Sequence, residues 1–290
     1  MSNFLNKNKL LTNFQYGFRN NASAELVVPA MYESFLENMD KGKSTCGVFL
    51  DLSKAFDTVD YKILLCELMY YGIRGKQNSF YESYLTDRKQ CTKANNYSAN
   101  FQTIECGVPQ GSVVGPLLFL IYVNDLPCAS SFQTTLFADD TSLHLSHKDI
   151  NKLQLNVQTE LDNVGTWMRC KRLSINYNKT GYMILTATCS QNCNFKISTN
   201  GVRIQQTDSI RYLGVIIDNK LSWKPQISSL CGKLSQACGV VCKIRHFADM
   251  KILRLIYFSL FHSHLQCCVI DGGERIKLLS DQCKCYKIEF

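Results

Sequence analysis

The chain has 290 residues, 46% hydrophobic and 19% charged, enough apolar material for one large or two modest cores, which excludes a disordered or low-complexity protein. A net charge of +8 suits an anionic partner but is too small, on a chain this long, to name one. The strongest apolar run, "PLLFLIYV" at 116–123, is too short for the ~20 residues of a membrane-spanning helix and soon meets Asp125, so no membrane partner is expected.

The opening "MSNFLNKNKLL" lacks the apolar core of a secretory signal, which predicts an intracellular protein of the nucleus or cytoplasm. Fifteen cysteines, odd in number and scattered, predict free thiols rather than a disulfide framework. His262, His264, Cys267, Cys268, Cys283 and Cys285 crowd together in sequence but fit no paired zinc-ligand spacing.

In chain order, "STCGVFLDLSKAFDTVD" at 44–60 starts as a buried strand, Cys46 to Leu52, and turns polar and helical. A helix is predicted from about Asp60 to Tyr71, stopped by Gly72, and another from about Gln77 to Leu85. "GVPQGSVVGP" is a glycine and proline loop that feeds the apolar helix "LLFLIYVNDL", with Pro116 suited to its first turn. "FQTTLFADDTSLHLS" reads as a hairpin with its acidic pair at the turn.

Ser146 and Asp149 form a capping box for a long helix whose apolar stripe runs Ile150, Leu153, Val157, Leu161, Val164 and Trp167 or Met168, ending near Lys171. Short strands follow at "RLSINY", "GYMILTA", "FKIS" and "VRIQ", the last two joined by the hairpin dipeptide Asn200-Gly201, and then "IRYLGVIID". Two further stripes, Ile227 to Ile244 and Leu253 to Leu260, predict a small helical bundle. The fold class is α+β: a mostly antiparallel sheet with helices on one face, and a helical appendage.

The chemistry lies in the carboxylates. Adjacent aspartates on a strand point to opposite faces, so Asp139 and Asp140 converge only at a bend, and their repulsion, about 4 kcal/mol at an effective dielectric near 20, needs relief. A hard divalent cation such as Mg²⁺ supplies that relief, and Asp51, closing the "VFLD" strand, is the candidate third ligand. Such a set suits two-metal phosphoryl transfer, the chemistry of polymerases and nucleases. Each piece taken singly also fits a helix cap, a solvated turn or a strand-ending residue.

"FLDLSKAFDTVD", "GVPQGSVVGPLLFLIYVNDL", "FADDTSLHL", "LSINYNKTGYMIL" and "IRYLGVIID" closely resemble, in this order, the palm motifs of reverse transcriptases, nearest to those of non-LTR retrotransposons of the LINE type. The resemblance extends upstream through "NKNKLLTNFQYGFRNNAS" and downstream through "LRLIYFSLFHSHLQCC". It implies a right-hand polymerase: a residual fingers segment over 1–45, a palm over 46–218 with a helical insertion at about 60–105, a helical thumb over 219–270, and a tail at 271–290 that departs from the family. In the family a substantial fingers region precedes "QYGFR", so the chain is expected to be an N-terminally truncated fragment, its remaining fingers and an endonuclease belonging to a full-length protein.

The resemblance also assigns roles. Asp51, Asp139 and Asp140, with the carbonyl of Leu52, become ligands of two Mg²⁺ ions, for which Mn²⁺ is a substitute. Phe56 matches the steric gate against a ribose 2′-OH, and Gln110 and Gly111 match the loop that packs on the incoming nucleotide; Arg19 falls in a nucleotide-contacting motif. Lys179 sits where the family serves the departing pyrophosphate, and Tyr212, Leu213 and Gly214 match the primer grip. Lys224, Lys233, Lys243 and Arg245 then become thumb contacts to duplex phosphates. The alternatives are a core phenylalanine at Phe56, a helix-entry loop at Gln110, a solvated Lys179, a salt-bridging Arg19, a core strand through Tyr212 and a solvated basic helix. The implied function is RNA-directed DNA polymerase, with RNA template, DNA primer and dNTPs as partners. The competing function is an inactive relic that only binds nucleic acid.

Overall fold

A computed structural model describes residues 1–19, 22–95, 97–186 and 195–263. Its helices are α1 (Ser2–Lys7), α2 (Ala24–Asp40), α3 (Tyr61–Tyr70), α4 (Lys76–Leu85), α5 (Gly115–Tyr122), α6 (Ile150–Cys170), α7 (Lys224–Ile244) and α8 (Met250–Ile256), the last continued by a π-helical turn at Tyr257–His262. The chain divides into two units, Met1–Ser23 with Asn38–Gln206, and Ala24–Glu37 with the chain from Thr207.

The first unit is built on β1 (Ser44–Leu50). All of its residues from Thr45 to Leu50 are buried, as expected of a central strand covered on both sides. After it come four two-residue strands, β2 (Lys89–Gln90), β3 (Lys93–Ala94), β4 (Tyr97–Ser98) and β5 (Gln102–Thr103), paired β2 with β5 and β3 with β4 in an exposed arm. β6 (Gln133–Phe137) and β7 (Asp140–His147) form the hairpin expected around the aspartates, and β8 (Gly181–Leu185) lies on the other side of β1. The sheet order is β11-β8-β1-β7-β6, antiparallel except where β11 (Gln205–Gln206) runs parallel to β8.

Helix ends follow side-chain chemistry. Asp60 caps α3, its Oδ1 accepting the N–H groups of Lys62 and Ile63, while Oδ2 holds Arg172 at 2.7 Å. Gly72, at φ +89°, closes the turn after it. Pro116 sits in the first turn of α5, which is buried from Leu118 to Tyr122. α6 is capped by Asp149 alone, whose Oδ1 accepts from Asn151 and Lys152. Ser146 does not take part in the expected capping box: it lies in β7 and its hydroxyl bonds Asn38 Oδ1 at 3.1 Å, because the strand continues past it. The α6 stripe Leu153, Val157, Leu161, Val164 and Met168 is buried across β1 and β7.

Between α6 and β8 the expected strand "RLSINY" reduces to a bridge of Ile175 to Leu52, since a turn closes at Asn176, whose carbonyl accepts from Lys179 and Thr180. "FKIS" and "VRIQ" shorten to β9 (Ser198–Thr199) and β10 (Val202–Arg203), joined by Asn200 and Gly201 at φ +51° and +77°, as the dipeptide predicted.

In the second unit "IRYLGVIID" is a hairpin rather than one strand. β12 (Ser209–Tyr212) turns back into β13 (Val215–Asp218) through Leu213 and Gly214, at φ +47° and +83°. A two-residue turn with both centres left-handed matches the twist of the flanking strands, and Gly214 makes it accessible. Asp218 then organises the entry to α7, taking the N–H groups of Ser222 and Trp223 on its two oxygens. Tyr32 of α2 donates its hydroxyl to the Leu221 carbonyl at 2.9 Å and packs on the Trp223 ring. Ile227, Leu230, Leu234 and Ala237 are the buried face of α7, and Leu230, Leu234 and Ala237 cluster with Phe261. Strands 209–218 group with this unit by their contacts.

No helix among the described residues is long and apolar enough to cross a membrane. Cys267, Cys268, Cys283, Cys285, His264 and the tail after Ile270 lie outside the described residues. Among those described, Cys46 is buried in β1, where loss of solvent pushes its thiol far above the ordinary range, so it behaves as a small hydrophobe.

Candidate active site

Asp51 follows β1 directly. Its N–H donates to the Thr180 hydroxyl at 3.1 Å and its carbonyl accepts the Asn176 N–H at 2.8 Å, so the backbone that carries the carboxylate is held from both sides. The register of β1 on β7 ends at Leu50 opposite Thr141. One residue further places Asp51 opposite Asp140. Leu52 bridges Ile175 through bonds made by its neighbours, Asn176 N–H to Asp51 carbonyl and Ser53 N–H to Ser174 carbonyl, so this pairing does not consume the Leu52 carbonyl.

Phe137 pairs with Asp140 across the hairpin, leaving Ala138 and Asp139 as the turn. Ala138 is at φ +58°, a left-handed conformation that bends the chain immediately before the two aspartates, so that Asp139 lies in the turn and Asp140 opens β7. The bend answers the geometric objection that neighbouring strand residues point apart. Burial, then the charge of Asp139, then that of Asp51, push the Asp140 carboxyl above its ordinary value, so the three acids feel one another. Asp140's side chain is solvent-accessible, and crowding by surrounding atoms removes only part of its hydration. Lys179 reaches this group, its Nζ 4.0 Å from Asp51 Oδ2, with its side chain largely exposed.

The all-oxygen donor set and its surplus of negative charge fit a hard cation. Among the described residues, no three His, Cys, Asp or Glu side chains are close enough together to form a ready metal-holding group. The acids are therefore electrostatic neighbours rather than a closed cage.

Phe56 lies in a short 3₁₀ turn, Ala55–Asp57, entered through Lys54 at φ +50°. Its ring packs on Phe119 with centroids 4.5 Å apart and meets the edge of Phe18 at 6.5 Å. The "GVPQG" loop lies against this turn: Gly107 N–H donates to Val59 and Val108 N–H to Phe56, both at 2.8 Å. Gly107 is required there, because a Cβ would sit 2.6 Å from the Asp57 carbonyl oxygen and φ is +89°. Gln110 donates its Nε2 to Asp57 Oδ1 at 2.7 Å, whereas Gly111 faces open space at φ +78°. Phe56, Gln110 and Gly111 are thus brought to one loop pair.

Arg19 is engaged otherwise. Its Nη1 donates to the Thr12 carbonyl at 2.6 Å and to that of Gln15 at 3.2 Å, tying its own loop together. Tyr212, Leu213 and Gly214 occupy the β12–β13 turn of the second unit. Lys224, Lys233, Lys243 and Arg245 are exposed at and after α7, but they do not form one stripe: at roughly 100° per residue, Lys224 and Lys233 fall on opposite sides of the helix. Asp57 and Thr180, which hold Gln110 and Asp51, were missed by motif reasoning. Each sits beside a recognised motif residue, but a contact to a distant loop leaves no local signal.

A family model described as reverse transcriptase (RNA-dependent DNA polymerase) matches residues 1–217. Curated relatives include the probable RNA-directed DNA polymerase from transposon BS of Drosophila melanogaster, 28% identical over 79% of this chain and 26% of the relative. The RNA-directed DNA polymerase from mobile element jockey of the same organism is also 28% identical, over 77% of this chain and 25% of the relative. The chain therefore spans about a quarter of the length of these relatives. Among solved structures, telomerase from Candida tropicalis in complex with a TWJ fragment of telomeric RNA has a TM-score of 0.53 at 11% identity, over 97% of this chain and 47% of that one. At that identity the likeness speaks for the fold, an α+β polymerase fold. With the family model covering most of its length, the chain belongs to the reverse transcriptase (RNA-dependent DNA polymerase) family.

Proposed function

We propose that this chain carries the polymerase centre of a retrotransposon reverse transcriptase, extending a DNA primer 3′-OH with dNTPs on an RNA template. The observation that carries the reading is the strand register that sets Asp51 opposite the Asp139–Asp140 turn. The names of the curated relatives, RNA-directed DNA polymerases of mobile elements, support it. In this reading residues 46–218 act as palm and 219–270 as thumb, 1–45 contribute to the fingers, and the protein works inside the cell, in nucleus or cytoplasm.

Asp51, Asp139 and Asp140, with the Leu52 carbonyl, would hold two Mg²⁺ ions, or Mn²⁺ in their place. When bound, the ions supply Lewis-acid stabilisation of the attacking and leaving oxygens of in-line phosphoryl transfer. The chain's own residues do the rest. Lys179, already drawn to Asp51, offers a positive charge for departing pyrophosphate. Gln110, held by Asp57, packs beside the nucleotide, and Gly111 leaves room for it. Tyr212, Leu213 and Gly214 present a tight turn to the primer end. Lys224, Lys233, Lys243 and Arg245 attract duplex phosphates. Arg19 contributes through the loop that it ties.

The test is extension of a DNA primer on an RNA template. Incorporation that depends on Mg²⁺ or Mn²⁺ and stops with a chelator is the expected result. Binding of primer–template without incorporation overturns the enzymatic reading in favour of a nucleic-acid-binding relic.

Phe56 supplies a second expectation. Its ring, braced on Phe119, would crowd a ribose 2′-OH. Phe56→Val is expected to keep dNTP incorporation and to lower discrimination against ribonucleotides by roughly tenfold or more. Competition of dNTP with the matching rNTP measures it, and unchanged selectivity would make Phe56 a core residue only.

A further inference from the structure

Residues Phe14–Gly17, "FQYG", run along β6 towards the acidic turn. Leu136 N–H donates to the Phe14 carbonyl at 2.9 Å, and Tyr16 N–H to the Leu136 carbonyl at 2.8 Å, which registers the segment on the strand leading into Ala138. Gln15 is 2% exposed. Its Oε1 accepts two backbone N–H groups, that of Gly17 at 2.8 Å and that of Ala138 at 3.0 Å. Among the described residues its buried Nε2 has no hydrogen-bond partner, and the bonds seen are made by the oxygen.

The contact is close. A Cβ on Gly17 would lie 2.2 Å from Ala138 N and 2.9 Å from the Phe137 carbonyl carbon, so no other residue fits without moving the turn. Ala138 is itself buried and left-handed, a conformation that an alanine keeps only when its surroundings impose it. Its buried N–H needs an acceptor, and that acceptor comes from 123 residues earlier in the chain.

We propose that Gln15 is a positioning residue for the acidic pair: by holding the Ala138 N–H, with Gly17 seated against the turn, it sets the backbone from which Asp139 and Asp140 project. The inference rests on the reading of those aspartates as metal-holding groups. Gln15 itself touches no reacting atom.

Hydrogen–deuterium exchange of the full chain, read on peptides spanning 133–147 and on reference peptides from β1 and β8, tests the positioning directly. Gln15→Met keeps the length and removes the acceptor, and it is expected to speed exchange of the turn by about tenfold or more while β1 and β8 stay as they were. Gln15→Glu keeps an acceptor oxygen and should retain protection. Gly17→Ala, whose Cβ must displace the turn, should reproduce the local loss and serves if Gln15→Met does not fold. Unchanged turn protection, or acceleration spread equally over β1 and β8, overturns the proposal. Uptake of Mn²⁺, followed by loss of the free-ion paramagnetic signal, is expected to weaken about tenfold in Gln15→Met. A wild-type chain that takes up no Mn²⁺ overturns the metal reading alone, and the exchange result still decides Gln15.

Discussion

Asp139→Asn is expected to reduce primer extension by at least about 10²-fold while leaving the chain folded. Asparagine preserves the shape of the turn residue, so the β6–β7 hairpin and its Phe137–Asp140 pairing have no reason to change. What disappears is one of the three negative charges that would hold the ions. Loss of an outer-shell partner alone commonly costs 10–100-fold in metal affinity or activity, and loss of a ligand charge should cost more. The free chain, by contrast, loses a repulsion, since the charge of Asp139 helps push the Asp140 carboxyl upward. Thermal melting in chelator should therefore show the variant no less stable than wild type. Added Mg²⁺ should raise the wild-type midpoint more than the variant's, because at a given ion concentration the stabilisation grows as the dissociation constant falls. Full activity in Asp139→Asn would remove the two-metal reading, and loss of activity through unfolding would leave it without support from this variant.

Lys171→Met is the largest expected change in stability, about 3 kcal/mol. The Lys171 side chain is only 7% exposed, and its ammonium pairs with Glu67 of α3, and with Asp125 at 3.0 Å. It also lies over the rings of Tyr122 and Trp167, 5.5 Å and 5.4 Å from their centroids. Tyr122 donates its hydroxyl to the Lys171 carbonyl, so helices α3, α5 and α6 all meet at this residue. Methionine replaces the volume but strands Glu67, whose side chain is 16% exposed. For a domain of this size the midpoint should fall by roughly 5–10 °C.

The pH dependence carries a sign. Burial already raises the Glu67 carboxyl above its ordinary 4.5, against the lowering pull of Lys171. Removing that pull raises it further. A raised folded value means the contribution is fully present below the unfolded value and lost as pH rises through the folded one, so Lys171→Met should be least stable at neutral to alkaline pH and recover on acidification towards pH 4.5. Adding Glu67→Leu should restore most of the loss, since a well-packed apolar pair replaces a buried ion pair at little cost. A double variant no better than Lys171→Met would show that the ion pair is not the cause.

Much of the architecture is legible locally. The start of α3 near Asp60, Pro116 at the entry to α5, the α6 stripe and the Asn200-Gly201 turn are each decided by neighbours a few residues away, and they appear where spacing and turn chemistry predict. The β12–β13 turn was not legible. Leu213 has a Cβ and ordinarily avoids positive φ, so "YLGV" carries no hairpin signal until its partner strand is known. Nor were Asp57, Thr180 and Gln15, whose bonds run to Gln110, Asp51 and Ala138 across long separations in sequence.

The sequence by itself determined most of the helices from α3 onward, the hairpin around Asp139 and Asp140, the family resemblance and the choice of Asp51, Asp139 and Asp140 as candidate acids, because these depend on periodicity, turn residues and motif order. Only the tertiary structure decided that Asp51 stands opposite Asp140 and that the Ala138 turn is braced by Gln15. Strand register and loop docking are set by packing between segments distant in the chain, and that information resides in no single stretch of it.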